Sequence, residues 1–145
     1  MKKLIIVSCL FAAFSARASN PPEVTEKVLK AFSETFMKAT DVVWHEVKNF
    51  YEASFKQSEV TSRAVYDQGG NLVRTIRYYS QENLPINILT KLQKRFAGKS
   101  VYGVTELSME DQVSYHITMQ DDKNWYIIKA DNWGSLELEQ KYKKA

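Results

Sequence analysis

Two histidines, His45 and His116, two aspartates in matching turns, Asp67 and Asp131, and one cysteine, Cys9, are the residues of this chain whose types could carry catalysis or hold a metal. Their spacing speaks against both. Neither histidine belongs to an H-x-x-x-H or H-E-x-x-H pattern, which would set two ligands on one helix face, and the two fall in different β-type runs. No G-x-S-x-G, P-loop or dinucleotide fingerprint occurs, and turns and a helix stop account for the glycines. Asp67 and Asp131 could be imagined as a carboxylate pair. They occupy equivalent positions in two copies of one turn, however, where Asp accepts local backbone hydrogen bonds, so turn capping is the expectation rather than acid–base work. We therefore expect a non-enzymatic protein with no catalytic residue, no metal and no cofactor.

Aromatic residues point to recognition instead. Most of the seven Phe and eight Tyr fall on stripes expected to be buried. Trp133 does not: it lies in a hairpin turn where the first copy of that turn has Gly69, and an exposed tryptophan often marks a contact surface. Trp125, Phe50 and Tyr79 fall on the side of their strands opposite the expected core. Trp44, in Val42-Val43-Trp44, has no clean face. These five are the candidate partner-binding residues.

The elements that must position them come in two copies. Tyr66-Asp67-Gln68-Gly69-Gly70-Asn71-Leu72 returns as Ala130-Asp131-Asn132-Trp133-Gly134-Ser135-Leu136, 64 residues on. In that register Tyr51 matches Tyr115 and Phe55 matches Met119. Upstream the offset is 60, and Leu29, Phe32 and Phe36 match Leu89, Leu92 and Phe96. Asn20-Pro21-Pro22 predicts a helix start, and Val24, Val28, Phe32 and Phe36, with Leu29 beside them, predict about four amphipathic turns. Asn83 and Pro85 predict the second start, Ile88, Leu89, Leu92 and Phe96 its buried stripe, and Gly98 its stop. After each helix the period becomes two. The first four strands are Val42 to Val47, Phe50 to Lys56, Val60 to Tyr66 and Leu72 to Tyr79. The second four are Val101–Leu107, Val113–Met119, Trp125–Ala130 and Leu136–Tyr142. Two αββββ units, each with one helix stripe and one apolar sheet face, are satisfied together by an α+β fold: one antiparallel sheet of about eight strands with both helices on the same side.

At 145 residues, with 44% hydrophobic and 26% charged, the chain is sized for one core. Lys2 and Lys3, the apolar run from Leu4 to Phe14 and Ser15-Ala16-Arg17-Ala18 have the form of a signal peptide over residues 1–18, cut after Ala18. Residues 19–145 then form a single domain of two repeats, about 22–79 and 83–143. Ile6-Val7-Ser8-Cys9 superficially resembles a lipoprotein cleavage site, but the five residues between Lys3 and Cys9 are too few for an apolar segment. Cys9 is therefore expected to leave with the signal. With Lys2, Lys3 and Arg17 gone, 17 basic residues face 17 acidic ones. A neutral mature chain removes the electrostatic case for nucleic acid or an anionic membrane. No permanent membrane insertion is expected, because the apolar run is too short to span a bilayer.

Several short motifs in order resemble those of secreted PepSY-like, or β-lactamase-inhibitor-like, proteins of bacteria. They are Val42-x-Trp44, Tyr51-Glu52-Ala53-x-Phe55-Lys56, Tyr66-Asp67-x-x-Gly70, Leu84-Pro85, Tyr115 and Asp131-x-x-Gly134, and together they cover Val24 to Tyr142. The resemblance implies the duplicated αββββ fold, export to the periplasm or beyond, and protein binding or inhibition across an open sheet; it brings no catalytic site. The expected function is thus an exported module that binds another exported or periplasmic protein through the uncovered sheet face. The alternative is a periplasmic carrier or sensor holding a small or lipidic ligand between sheet and helices. Nothing in the sequence marks an oligomeric state.

Overall fold

The computed structural model describes residues 22–145; the expected signal peptide, Cys9 and the helix start at Asn20-Pro21 lie outside them. The order is twice αββββ: α1 (Glu26–Thr35), β1 (Thr40–Val47), β2 (Phe50–Gln57), β3 (Val60–Asp67), β4 (Leu72–Tyr79), α2 (Ile86–Arg95), β5 (Ser100–Met109), β6 (Gln112–Gln120), β7 (Asn124–Asp131) and β8 (Leu136–Lys143). The eight strands form one antiparallel sheet in which neighbours in space are neighbours in sequence.

Cross-strand partners share a face. One such row runs Phe55, Ser62, Arg77, Glu106, Tyr115, Ala130, Leu136. Phe55 packs with Val28 and Phe32 of α1, whereas Tyr115 and Ala130 pack with Ile88 and Leu92 of α2. Both helices therefore cover the same side, and the other side is open.

The core is in two parts. Under α1, Phe32 meets Phe55 edge-on at 5.1 Å between ring centroids and Trp44 at 5.2 Å. Under α2, Leu92 and Ile88 pack on Val104, Ile117, Met119 and Ile128. Tyr51 and Phe55 lie in the first cluster and their matches Tyr115 and Met119 in the second, as the repeat requires. The helices also end alike: the Phe36 N–H donates to the Phe32 carbonyl and the Phe96 N–H to the Leu92 carbonyl, both at 2.8 Å.

Three local expectations are corrected. Within the described residues α1 begins at Glu26 and has ten residues, shorter than the expected four turns, because Thr25 takes the capping conformation and its Oγ1 accepts the Val28 N–H. Asn83 ends a short 3-10 turn, Gln81–Asn83, instead of capping α2, and Pro85 occupies that position with no capping side chain. Leu29 is exposed, so the buried stripe of α1 is narrower than its spacing suggested. Gly98 does end the second helix region in the left-handed conformation, at φ 77°.

Candidate functional site

The two matching turns position much of the chemistry. In the first, Asp67 Oδ1 accepts the N–H groups of Gly69 and Asn71, both at 2.9 Å, and Gly70 adopts φ 87°. In the second, Asp131 Oδ1 accepts those of Trp133 (3.0 Å) and Ser135 (2.8 Å), and Gly134 adopts φ 79°. The Asn71 side chain first, with backbone N–H groups behind it, holds the Asp67 carboxyl below the usual carboxylate range. The Ser135 N–H leads in doing the same for Asp131. Both aspartates are committed to their turns, as the spacing implied. Each turn also meets its own helix: a Cβ on Gly70 would come within 3.0 Å of the Lys27 carbonyl oxygen, and one on Gly134 within 3.0 Å of Lys91 Nζ.

Trp133 stands at the tip of the second turn, 79% exposed. Its carbonyl accepts Lys91 Nζ at 3.1 Å, and the Asn132 carbonyl accepts Asn87 Nδ2 at 3.3 Å, so α2 fixes the backbone beneath the indole. On the open side Trp133 lines a cleft of about 520 Å³ with Leu107, Met109, Ser114 and Lys129. At the other end of β7, Trp125 meets Tyr102 edge-on at 5.0 Å, faces Tyr142 across the β7–β8 ladder and carries Lys144 Nζ 4.7 Å from its ring centroid. Trp125, near the start of β7, and Trp133, in the turn just past its end, thus stand at opposite ends of that strand. Phe50 is exposed on the same open side but lies far across the sheet on β2, beside exposed Val47.

The other two candidates are corrected. Tyr79 is only 6% exposed and packs in the α2 cluster. A bulge where β3 meets β4, between Val65 and Tyr66, breaks the alternation and turns Tyr79 inward. Its hydroxyl donates to Glu106 Oε2 at 2.5 Å, and burial first, then Glu106, pushes its pKa far up. Trp44 packs against Phe32 and Tyr66 under α1, because a similar irregularity between Thr40 and Val43 resets the face of β1. Sequence reasoning missed Tyr102, Leu107, Met109 and Tyr142, the last because a bulge on β8 moves it from the face of Leu138 to that of Trp125. For Tyr102 a signal existed: Val101 and Val104 both face the core three positions apart, which period-two alternation forbids without a bulge, and the register does shift between Val101 and Gly103.

His45 and His116 both face the open side but sit on β1 and β6, paired with Glu52 and with Thr105 and Lys129 respectively. His116 Nδ1 lies 3.5 Å from Glu139 Oε2. Among the described residues no group of three or more His, Cys, Asp or Glu side chains converges, and no helix is long and apolar enough to cross a membrane.

Eight meandering strands with two helices on one side define an open-faced, duplicated α+β fold, and that is the fold of several solved structures from Bacteroides. A BLIP-like protein from Bacteroides fragilis matches with a TM-score of 0.64 at 19% identity, over 88% of each chain. A DUF2874 family protein from Bacteroides ovatus matches at 0.61 and 21%, over 86% of this chain and 89% of that one. A candidate periplasmic protein from Bacteroides eggerthii matches at 0.61 and 16%, over 84% and 90%. No family model and no curated protein matches the chain. The inhibitor-like part of the sequence resemblance thus has its counterpart in the BLIP-like fold, and the PepSY-like part has none among these comparisons.

Proposed function

We propose that this protein is an exported, non-enzymatic binding module that engages another exported protein through the open face of its sheet, in the manner of an inhibitor or adaptor. The observation that carries this reading is the placement of large apolar side chains on the side the helices leave uncovered. Tyr102, Trp125 and Tyr142 cluster at one end of that face, and Trp133 stands over Leu107 and Met109 at the other. Tryptophan and tyrosine dominate binding hot spots. A tip fixed by Asp131, Lys91 and Asn87 loses little freedom on docking, which lowers the entropic cost of association. The BLIP-like neighbour and the candidate periplasmic neighbour are consistent with this role and address.

The test compares mature protein with Trp125→Ala, Trp133→Ala and His45→Ala in thermal melts and in cross-linked capture from periplasmic extract. The tryptophan variants should melt like the parent and lose a captured protein that His45→Ala retains; truncating a hot-spot tryptophan typically weakens binding by about thirtyfold. Folded tryptophan variants with undiminished capture would move the binding surface off this face.

A further inference from the structure

On the opposite side of the sheet, the row that joins the two cores changes character at its middle: Phe55 lies under α1, Tyr115 under α2, and Ser62, Arg77 and Glu106 between them are polar. A cleft of about 480 Å³ opens above this seam, between the end of α1 and the approach to α2. That volume is within the range of small-molecule sites. Phe36 and Phe55 form its apolar wall, Ser62, Thr75 and Asn83 contribute polar groups, and among the described residues Arg77 is its one charged lining residue and no carboxylate lines it.

The arrangement leaves a surplus of donors. Arg77 uses one nitrogen, Nη1, for both oxygens of Glu106, at 3.0 and 3.2 Å, and its guanidinium lies 5.3 Å from the centre of the Tyr79 ring. Glu106 also takes the Tyr79 hydroxyl, so the carboxylate is well supplied with donors while Nε and Nη2 of Arg77 have no acceptor among the described residues. Ser62 is 4% exposed and lines the cleft, standing between Phe55 and Arg77 in the same cross-strand row. Glu106 and Tyr79 thereby act as a brace that orients the guanidinium. We infer that the seam cleft is a binding site for a small organic acid whose carboxylate is held by Arg77 and Ser62 and whose short apolar tail lies on Phe36 and Phe55. This site is independent of the open face, and its success or failure leaves that reading untouched.

Hexanoate is the probe, with acetate as the head alone and hexanol as the tail alone, each titrated into mature protein by two-dimensional amide NMR. Hexanoate should bind saturably and shift Ser62, Thr75 and Arg77; both controls should bind at least about tenfold more weakly, hexanol for want of a hydrogen bond to a charged group and acetate for want of buried methylenes. Since Arg77→Gln alone strands Glu106, the double variant Arg77→Gln/Glu106→Gln and the single Ser62→Ala are titrated beside it. The double variant should lose the preference for hexanoate over hexanol, Ser62→Ala should weaken hexanoate, and Trp125→Ala should change nothing. Equal binding of hexanol and hexanoate, shifts confined to the open face, or full hexanoate affinity in the folded double variant would each overturn the assignment.

Discussion

Asp67 and Asp131 tie a local sequence pattern to a measurable property of the whole protein. Each carboxyl titrates below its ordinary value near 3.8 because the charged form accepts hydrogen bonds that exist only in the folded turn. The folded state therefore binds these protons more weakly than the unfolded chain. Stability from the two groups is fully present above that ordinary value and is lost as the pH falls through the depressed folded one. Urea midpoints measured at about pH 6 and about pH 3 should fall less in Asp67→Asn/Asp131→Asn than in the parent; an equal fall would remove the two turns from the acid response. These residues were legible in the sequence because everything an Asp-x-x-Gly turn needs lies within five residues. Tyr66 was legible only in part. Its strand and its turn could be read, but nothing announced that burial would push its pKa up and leave its hydroxyl without a hydrogen bond of normal geometry, with the Thr35 hydroxyl near enough to offset only part of that shift.

Each helix is held by a few large side chains on one stripe. Phe32 and Leu92 occupy equivalent centres of those stripes and are nearly or wholly buried. Phe32→Ala and Leu92→Ala should each cost about 2–5 kcal/mol, whereas exposed Lys94→Ala should stay within about 0.5 kcal/mol. Indistinguishable denaturation midpoints for the three would mean that the helices are not packed as described. Helices and strands could be recognised because the hydrophobic period runs through each of them unbroken for most of its length. Faces could not be carried through the four bulges, at Val42, Val73, Tyr102 and Glu139. One extra residue reverses every later side chain on a strand. That is why Trp44 and Tyr79 left the candidate surface and Tyr102 joined it, while Trp125, on a ladder regular through its own pairing with Gln120, was placed correctly.

At the scale of the molecule, one sheet spans two cores that share no buried residue. Substitutions that share no partner add, so Phe32→Ala/Leu92→Ala should cost the sum of its singles to within about 0.5 kcal/mol. A coupling above about 1 kcal/mol in the double-mutant cycle would show that strain passes across the Ser62–Arg77–Glu106 seam. The order of the strands has a further consequence, for the time the chain takes to fold. Since the sheet is laid down in the order in which it is written, seven pairings join neighbouring strands, and the widest separation between paired residues is that of Arg74 and Met109. Loop closure is the slow part of building a sheet, and here only one strand connection contains a helix. The first αββββ unit can assemble with β4 as a temporary edge, and β5 then extends an existing template instead of searching for a distant partner. Folding should accordingly be quick for a protein so rich in strand, which shortens the interval in which its exposed edges could pair with those of another chain.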